Sequence, residues 1–363
     1  MELKKYVIYG LILAGGKGSR LYPLSRVEKP KQFLKVINEK SFLVNTVERI
    51  TPLIEKENIY VVTNKDYEDQ IKEDLSDINE NNIITEPMNK ETATCIGLSA
   101  VRLLKEDNDA VMVVLPSDHH IENEKAYIET LSQAVDMANR RRCIVTLGIA
   151  PTRPETGYGY IEMGDRVSGI RAAYKVARFT EKPNTDVAKD FIYKGTYLWN
   201  SGMFIFRADV ILREIGKYLP DMYKSLMEIY KHIGEEDQDE VIEEEYRKIN
   251  GISIDFGIMQ KTRKACVIQC DFDWDDIGSF SALSRFLDNK KESNNAVSNN
   301  VYLEECENCS VFGNKNLIIG LGIKDIVVVD AGDVILVMDR NKDQEIKHLL
   351  NNLEKQGKYY RFL

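Results

Sequence analysis

The first 150 residues alternate between short, continuous apolar runs and longer segments in which apolar residues recur at helical spacing. Continuous apolar runs are typical of strands buried on both faces of a sheet, and the 3.6-residue period is typical of amphipathic helices. This pattern predicts strands at residues 7–13, 58–63, 83–85, 110–115 and 143–149. Between them it predicts helices at residues 41–50, 66–75, 92–105 and 125–139.

The alternation of strand and helix predicts an α/β fold with a doubly wound, mostly parallel, Rossmann-like sheet. In such sheets, ligands bind beyond the carboxyl ends of the strands. Further strands are expected at residues 157–163, 175–180 and 203–207. The stretch at 234–246 is rich in Glu and Asp, and it is interpreted as the solvated face of a helix.

The pattern changes after residue 288. Residues 289–300 are polar and rich in Asn, which indicates a linker. Short β-branched segments then recur at 301–303, 317–319, 326–329 and 334–338, and a terminal helix is expected at 342–355. We therefore divide the chain into a large α/β domain at 1–288 and a small C-terminal β-rich domain at 289–363, which could form a short β-helix.

Composition and charge narrow the classes of function. The 363-residue chain is 43% hydrophobic and 29% charged, with a formal net charge of −9, which is typical of globular proteins. No basic stripe is present, so nucleic acid or an anionic membrane is a disfavoured partner, because phosphate polymers require clustered Lys and Arg. A small anionic substrate remains compatible with a few local cations.

The N-terminal segment has two interpretations. Its two lysines, apolar run and small residues fit a secretory signal, but they also fit a buried strand that leads into a Gly-rich turn. We favour the strand, because the residues that follow it carry chemistry an enzyme would need. The six cysteines are then expected to be reduced in the cytoplasm. The pair Cys306 and Cys309 is interpreted as structural, since zinc would need two more ligands.

The loop at residues 13–24, LAGGKGSRLYPL, is the strongest candidate for chemistry. Its three glycines within four residues let backbone amides approach an anion. It is not a P-loop, because Gly18 stands where Ser or Thr would follow the Gly-Lys pair, and Leu21 replaces the third glycine of the dinucleotide fingerprint. Lys17 and Arg20, with a second basic cluster at residues 29–32, could clamp a triphosphate.

The strings LAGGKGSRLYPLS at residues 13–25 and KPKQF at residues 29–33 make this chain resemble the sugar-1-phosphate nucleotidyltransferases. Within that family, the resemblance is strongest to members that transfer a guanylyl group to mannose 1-phosphate. It implies that GTP and mannose 1-phosphate are the substrates, and that residues 1–288 are the nucleotidyltransferase domain. It implies that Arg20 and Lys31 neutralise charge at the reacting phosphorus. It implies nucleotide contacts from Leu13, Ala14, Gly15, Gly16 and Gly18.

Further strings extend the resemblance along the chain in the order of the family. EPMNKETAT at residues 86–94 resembles the base-contacting segment, which implies that Glu86, Thr92 and Ala93 bind the guanine nucleotide. ETGYGYI at 155–161, FTEKP at 179–183 and WNSGMF at 199–204 resemble the sugar-binding half. They imply that the hexose phosphate is bound by Gly159, Glu181, Lys182 and Asn200.

Two carboxylates are candidates for a metal site. PSDH at residues 116–119 ends a predicted buried strand, where a carboxylate that faces a phosphate site is well placed to hold Mg²⁺. DWDDIGSF at residues 273–280 resembles the family segment that supplies a second metal carboxylate. The resemblance implies Asp118 and Asp276 as the two Mg²⁺ ligands, with the other acids of that segment peripheral. Zinc binding by His119 and His120 is disfavoured, because adjacent residues on an extended chain point to opposite sides.

The implied reaction is in-line attack of a mannose 1-phosphate oxygen on the α-phosphorus of GTP. Because the nucleophile is already anionic, catalysis rests on positioning and charge neutralisation rather than on a general base. Two alternatives stay open. One is a sister enzyme with another base or hexose, such as a glucose-1-phosphate thymidylyl- or uridylyltransferase. The other is a non-catalytic nucleotide-sugar sensor, which we disfavour because the candidate cations and metal acids are all present. A homodimer formed through the β-rich tail is also expected.

Overall fold

The computed structural model describes residues 6–16, 18–288, 294–297, 300–313 and 315–363. Lys17 and most of the predicted linker at 289–300 lie outside the described residues. By their internal contacts, the described residues form two compact units. The first unit comprises the described part of Met1–Gly15 with Thr46–Ser117 and Ile121–Trp274, and the second comprises Gly16–Asn45, Asp118–His120 and Asp275–Leu363. The domain boundary that the sequence places after residue 288 stays a prediction.

The elements are numbered along the chain. The strands are β1 (Ile8–Leu13), β2 (Ile59–Asn64), β3 (Ile83–Glu86), β4 (Val111–Pro116), β5 (His120–Ile121), β6 (Ile144–Ile149), β7 (Tyr160–Arg166), β8 (Ala173–Thr180), β9 (Tyr197–Arg207), β10 (Ala265–Gln269), β11 (Trp274–Asp275), β12 (Asn295–Val297), β13 (Val301–Glu304), β14 (Ser310–Gly313), β15 (Ile318–Leu321), β16 (Ile326–Asp330) and β17 (Ile335–Asp339). The α-helices are α1 (Phe42–Ile50), α2 (Glu68–Asp74), α3 (Glu91–Glu106), α4 (Glu124–Arg141), α5 (Thr185–Lys194), α6 (Ala208–Tyr218), α7 (Pro220–His232), α8 (Gln238–Lys248), α9 (Phe280–Asp288) and α10 (Ile346–Gln356).

A large mixed sheet forms the first unit, with strand order β3-β2-β1-β4-β9-β6-β10-β8-β7. The pairs β3–β2, β2–β1, β1–β4 and β10–β6 are parallel. Strand β9 is antiparallel to β4 and β6, and β8 is antiparallel to β10 and β7. The other strands of this sheet therefore share one direction, which confirms the predicted mostly parallel α/β sheet.

Local sequence explains how the helices pack on this sheet. Strand β4 is buried along its apolar length, as its continuous apolar run predicts. Helix α3 has small residues on one side, and a Cβ at Gly97 would lie 2.5 Å from Cδ1 of Leu226 in α7. The glycine therefore permits the close approach of these two helices.

Strand β9 differs most from its prediction. The sequence indicates a short strand at residues 203–207, but β9 begins at Tyr197 and includes the WNSGMF string. It lies inside the sheet, between β4 and β6. Asn200 and Gly202 interrupt the apolar pattern of this segment, and such interruptions are typical of turns. Pairing with strands far away in sequence outweighs this local signal.

The C-terminal strands of the second unit form two small sheets. Strands β12, β14 and β16 pair in parallel, β17 adds antiparallel to β16, and β13 pairs in parallel with β15. The chain thus alternates between two parallel sheets, as in the coils of a β-helix, which confirms the predicted β-rich appendage. Its core includes residues of the loop at 16–45 as well as of the tail: Leu21, Tyr22, Leu34, Phe280, Phe312, Val327 and Ile346. Across the described ranges, none of the helices has the length and apolar character needed to span a membrane.

Candidate active site

Gly18 allows the predicted phosphate loop to contact the second basic cluster at residues 29–32. It has a left-handed backbone conformation, with φ of 61°, and precedes the 3₁₀ turn Ser19–Leu21. A Cβ at this position would lie 2.3 Å from Cβ of Lys31, so a larger residue would displace the lysine. Ser25 donates a hydrogen bond of 2.6 Å from Oγ to the Gly18 carbonyl. Gly16, by contrast, has open space where a Cβ would stand.

Lys31 contacts both residues that the sequence predicts as metal ligands. Its Nζ lies 2.7 Å from Oδ2 of Asp118 and also donates to the backbone carbonyl of Asp276. The side chain is 5% exposed, and Nζ lies 5.7 Å from the ring centroid of Phe42. Asp276 in turn accepts a hydrogen bond of 3.0 Å at Oδ1 from the N–H of Gly278. The second unit thus brings Lys31, Asp118 and Asp276 together.

The charges in this cluster favour an ionised Asp118. Burial by itself raises the pKa of this carboxyl group, but the Lys31 ammonium and His119 outweigh it, so the pKa lies below its usual value. The side chain remains 32% exposed. Arg20, on the turn that follows Gly18, has no hydrogen-bond or ion-pair partner among the described residues. Its guanidinium is therefore available to an anionic ligand.

Asp118 and Asp276 are the two candidate metal ligands, so any cation that they hold must take most of its ligands from water and phosphate. Within the described ranges, no group of three or more His, Cys, Asp or Glu side chains could hold a metal ion. Mg²⁺ prefers oxygen ligands and is usually bound through one or two carboxylates together with substrate phosphates. Asp118 and Asp276 offer oxygen ligands of this kind, and their role as ligands of the ion stays a prediction.

The first unit carries four of the nucleotide candidates at the carboxyl ends of β1 and β3. Ala14 continues from β1 and donates its N–H to the Val62 carbonyl at 2.8 Å. Asn64 Nδ2 donates to the Gly15 carbonyl at 3.3 Å. A Cβ on Gly15 would lie 3.9 Å from Oε2 of Glu86. Four predicted nucleotide residues are therefore close together: Leu13, Ala14, Gly15 and Glu86.

Glu86 is a buried carboxyl group. It is 8% exposed, and burial raises its pKa to about 7, although hydrogen bonds from Tyr246 and Cys95 lower the pKa in part. Tyr246 donates from its hydroxyl to Oε1 at 3.2 Å. Tyr246 is fully buried in α8, so the interpretation of residues 234–246 as a solvated face is wrong at this position. The acidic residues around it gave no signal of an inward-facing tyrosine.

Thr92 and Ala93 take part in structural hydrogen bonds at the start of α3. Thr92 Oγ1 accepts from the N–H of Ile254 at 2.9 Å, and the N–H of Ala93 donates to the Ile252 carbonyl at 3.1 Å. The N–H of Ala93 is thus already used within the protein. Contact of these two residues with the nucleotide stays a prediction.

Gly159, Glu181 and Asn200 form a compact cluster in the first unit. A Cβ at Gly159 would lie 2.4 Å from Oε2 of Glu181 and 3.3 Å from Cβ of Asn200. The Glu181 side chain is 7% exposed, and its Oε2 has no hydrogen-bond partner among the described residues. A buried acceptor without a partner is costly, and a ligand hydroxyl would relieve that cost. The geometry therefore suits a polyhydroxyl ligand.

Lys182 and Asp255 extend the cluster. Lys182 pairs with Oε1 of Glu181, is 52% exposed and has a left-handed φ of 47°. Asp255 Oδ1 accepts a hydrogen bond of 3.1 Å from Nδ2 of Asn200. Burial and the charge of Glu181 raise the pKa of Asp255 to about 6, against the opposing effect of Lys182. Sequence analysis missed Asp255. The available signal was an acid within the apolar run at 252–259.

The other acids and cysteines that the sequence singled out make structural contacts. Asp275 accepts from the N–H of Ile277 at 2.9 Å and lies 3.4 Å from Arg285. The thiols of Cys306 and Cys309 donate to backbone carbonyls, and neither forms a disulfide. The interpretation of Asp275 as peripheral and of the two cysteines as structural stays a prediction.

Two family models match the chain. The model of the nucleotidyl transferase family matches residues 9–293. The model of the MannoseP isomerase/GMP-like beta-helix domain matches residues 298–353. Together they cover the described sheet of the first unit and the β-rich tail.

Relatives and a solved structure resemble the chain over most of its length. It is 36% identical over 366 residues to mannose-1-phosphate guanylyltransferase ManC of Salmonella typhimurium, which covers 99% of this chain and 76% of that protein. It is 35% identical over 348 residues to mannose-1-phosphate guanylyltransferase of Klebsiella pneumoniae, over 95% of this chain and 73% of that protein. The crystal structure of mannose-1-phosphate geranyltransferase from Thermus thermophilus matches with a TM-score of 0.85 and 31% identity, over 96% of this chain and 99% of that one. This chain belongs to the nucleotidyl transferase family, and within it to the group that includes the mannose-1-phosphate guanylyltransferases.

Proposed function

We propose that this protein converts GTP and mannose 1-phosphate to GDP-mannose and pyrophosphate. An oxygen of the sugar phosphate attacks the α-phosphorus of GTP, the bond from that phosphorus to the oxygen bridging it to the β-phosphorus breaks, and pyrophosphate leaves. The attacking oxygen is already anionic, so no proton has to be removed. The names of the relatives from Salmonella typhimurium and Klebsiella pneumoniae support this choice of substrates.

The contact of Lys31 with Asp118 and Asp276 is the observation that carries the proposal. Bringing a sugar phosphate to a triphosphate is opposed by their charges. The buried ammonium group of Lys31 is fixed in place before the substrates bind, because it contacts the carboxylate of Asp118 and the backbone carbonyl of Asp276. A charge that is fixed in advance favours stabilisation of a transition state. Arg20 adds a second cation from the same loop. Losing one such donor typically costs about 2–4 kcal/mol of barrier.

Asp118 and Asp276 would hold Mg²⁺, which offsets the charge of the triphosphate when it is bound. Gly15, Gly16 and Gly18 would receive the nucleotide phosphates through their backbone. On the sugar side, Glu181 would accept from hexose hydroxyls through its unpartnered Oε2. Asn200 would also contact the hexose, and the half-exposed Lys182 would bind the sugar phosphate.

We also propose the organisation of the protein in the cell. Residues 1–288 would be the catalytic domain and 289–363 the β-rich domain. A homodimer is supported by the large apolar side chains that the tail strands expose, with Ile319, Leu321 and Ile335 each 62–67% exposed. A cytoplasmic location is supported by six cysteines that are all unpaired.

A substrate panel tests the reaction. Pyrophosphate release is measured for GTP, UTP, dTTP and ATP against mannose 1-phosphate and glucose 1-phosphate, with and without Mg²⁺. We expect turnover with GTP and mannose 1-phosphate that requires Mg²⁺. Higher turnover with UTP or dTTP and glucose 1-phosphate would identify a sister enzyme, and binding without turnover would identify a sensor. Near wild-type turnover of Asp276→Asn would remove this residue from the metal site.

A further inference from the structure

Asn64 and Glu86 lie side by side at one edge of the sheet. They are register partners in the parallel pair of β2 and β3. Partner residues on adjacent strands are about 4.8 Å apart and project to the same face. Both side chains contact or approach Gly15, the residue at which the phosphate loop leaves β1. A nucleotide that contacts Gly15 would therefore lie near this pair.

The pair presents acceptor atoms to that position. Asn64 uses Nδ2 to hold the Gly15 carbonyl, and its Oδ1 is buried without a hydrogen-bond partner among the described residues. Glu86 receives the Tyr246 hydroxyl at Oε1, while Oε2 lies beside Gly15. An amide oxygen and a carboxylate oxygen both accept hydrogen bonds. A ligand that fits here must therefore bring two neighbouring donors.

We propose that Asn64 accepts a hydrogen bond from the 2-amino group of guanine. It acts beside Glu86, which the family resemblance already implies as a guanine contact and which would accept from N1–H. This proposal rests on the proposed function, because it takes the nucleotide to be GTP. Guanine carries these two donors next to each other. Adenine has an acceptor at N1 and no amino group at C2, and uracil or thymine has a single N–H between two carbonyls. Each of these bases would leave a buried acceptor unpaired, which is the strongest basis for discrimination in a polar pocket.

Tyr246 is assigned as the positioning residue of this pair. It is fully buried, comes from α8 and donates its hydroxyl to Oε1 of Glu86, whereas Oε2 is the oxygen near Gly15. The other titratable group that faces Glu86 is the thiol of Cys95 on α3. Tyr246 is 160 residues from Glu86 in sequence, whereas Cys95 directly follows the segment at residues 86–94.

Calorimetric titration of the full chain with GTP and with ITP tests the proposal, because ITP lacks the 2-amino group. We expect wild type to bind GTP about 10-fold more tightly than ITP. Asn64→Ala should bring the ratio of the two affinities close to one, mainly because it binds GTP more weakly. Asn64→Asp keeps the acceptor, so it should keep the preference for GTP. An unchanged ratio in Asn64→Ala would overturn the proposal.

The matched control is Thr63→Val. Thr63 donates from Oγ1 to the Ala14 carbonyl, so this variant also loses a hydrogen bond to the phosphate loop. It leaves the acceptor atoms of Asn64 and Glu86 unchanged. It should weaken the binding of GTP and of ITP by the same factor. Because binding is measured without turnover, the two ideas can fail separately. If the preference for GTP over ITP depends on Asn64 but no pyrophosphate is released, the proposed reaction is wrong and this inference stands. If the protein releases pyrophosphate but its preference for GTP over ITP is unchanged in Asn64→Ala, this inference is wrong and the proposed reaction stands.

Discussion

Oε2 of Glu181 occupies the space beside Gly159 in which a side chain would otherwise lie. A Cβ at position 159 would approach this oxygen to 2.4 Å. The contact involves the end of a flexible side chain, so Gly159→Ala should move the carboxylate and leave the sheet intact. We expect the KM for mannose 1-phosphate to rise about 10-fold, as for the loss of one charged hydrogen bond, with little change for GTP. Steady-state kinetics with each substrate varied in turn measure this split.

Gly157→Ala is the control for that experiment, because a Cβ there would lie 3.3 Å from Oε1 of Glu155 and would not approach Glu181. It should leave both KM values near those of wild type. Equal effects of the two substitutions on mannose 1-phosphate would remove Glu181 from the sugar site.

Lys31→Met should abolish most of the catalysis while keeping the shape of the side chain. The variant loses the cation that contacts Asp118 and Asp276, so kcat/KM should fall about 100- to 1000-fold, equivalent to about 3–4 kcal/mol. It also removes the ammonium group that lowers the pKa of Asp118, so that pKa should rise. Lys35→Met, at an exposed position four residues later and outside the basic cluster at 29–32, is the matched control. A comparable loss in both variants would contradict a specific role for Lys31.

The sequence was sufficient to predict the α/β fold and most of the polar residues near the two clusters, because both depend on local signals. Strands β1, β2, β4 and β6 follow from short apolar runs, and the predicted phosphate loop follows from its glycines. Asp118 could be placed at the end of a buried strand. The assignment of guanine and mannose depended on resemblance, since no local pattern encodes the shape of a pocket.

The residues that were missed acquire their significance through contacts between distant parts of the chain. Tyr246 is 160 residues from Glu86, and Asp255 is 55 residues from Asn200. Tyr246 lies in a helix whose acidic residues indicate solvent, and Asp255 interrupts an apolar run without a recognisable motif. In the sequence, Asn64 is an ordinary polar residue at the end of a strand. Its position beside Glu86 becomes apparent only from the strand register.

Asp255→Asn should stabilise the fold at alkaline pH. The folded protein holds this carboxyl with a pKa raised from 3.8 to about 6, so the native state binds the proton more tightly than the unfolded chain does. The free energy of unfolding therefore falls as pH rises through this window, by at most about 3 kcal/mol. The asparagine carries no such penalty and can still accept from Asn200. Thermal unfolding should give a higher midpoint than wild type at pH 8 and the same midpoint near pH 4.

A destabilised Asp255→Asn variant at pH 8 would show that the carboxylate makes a favourable contact that outweighs its burial. Whether the variant is stabilised or destabilised, we expect weaker binding of mannose 1-phosphate, because the substitution alters the group that faces Glu181.

Tyr246→Phe should shift the pH dependence of GTP binding. Glu86 accepts from a base donor when it is ionised, and burial raises its pKa to about 7, so GTP affinity should fall as pH drops below 7. The Tyr246 hydroxyl stabilises the charged form, and its loss raises the pKa further. The variant should therefore bind GTP more weakly at pH 7 and recover toward wild-type affinity near pH 9. Titrations with GTP between pH 5.5 and 9 measure this shift in the pH dependence of binding. The control is Glu86→Gln, which cannot ionise at this position, so its pH dependence reports the ionisation of the triphosphate. If Tyr246→Phe weakens GTP by the same factor at every pH, the tyrosine acts on the fold and does not act through the ionisation of Glu86.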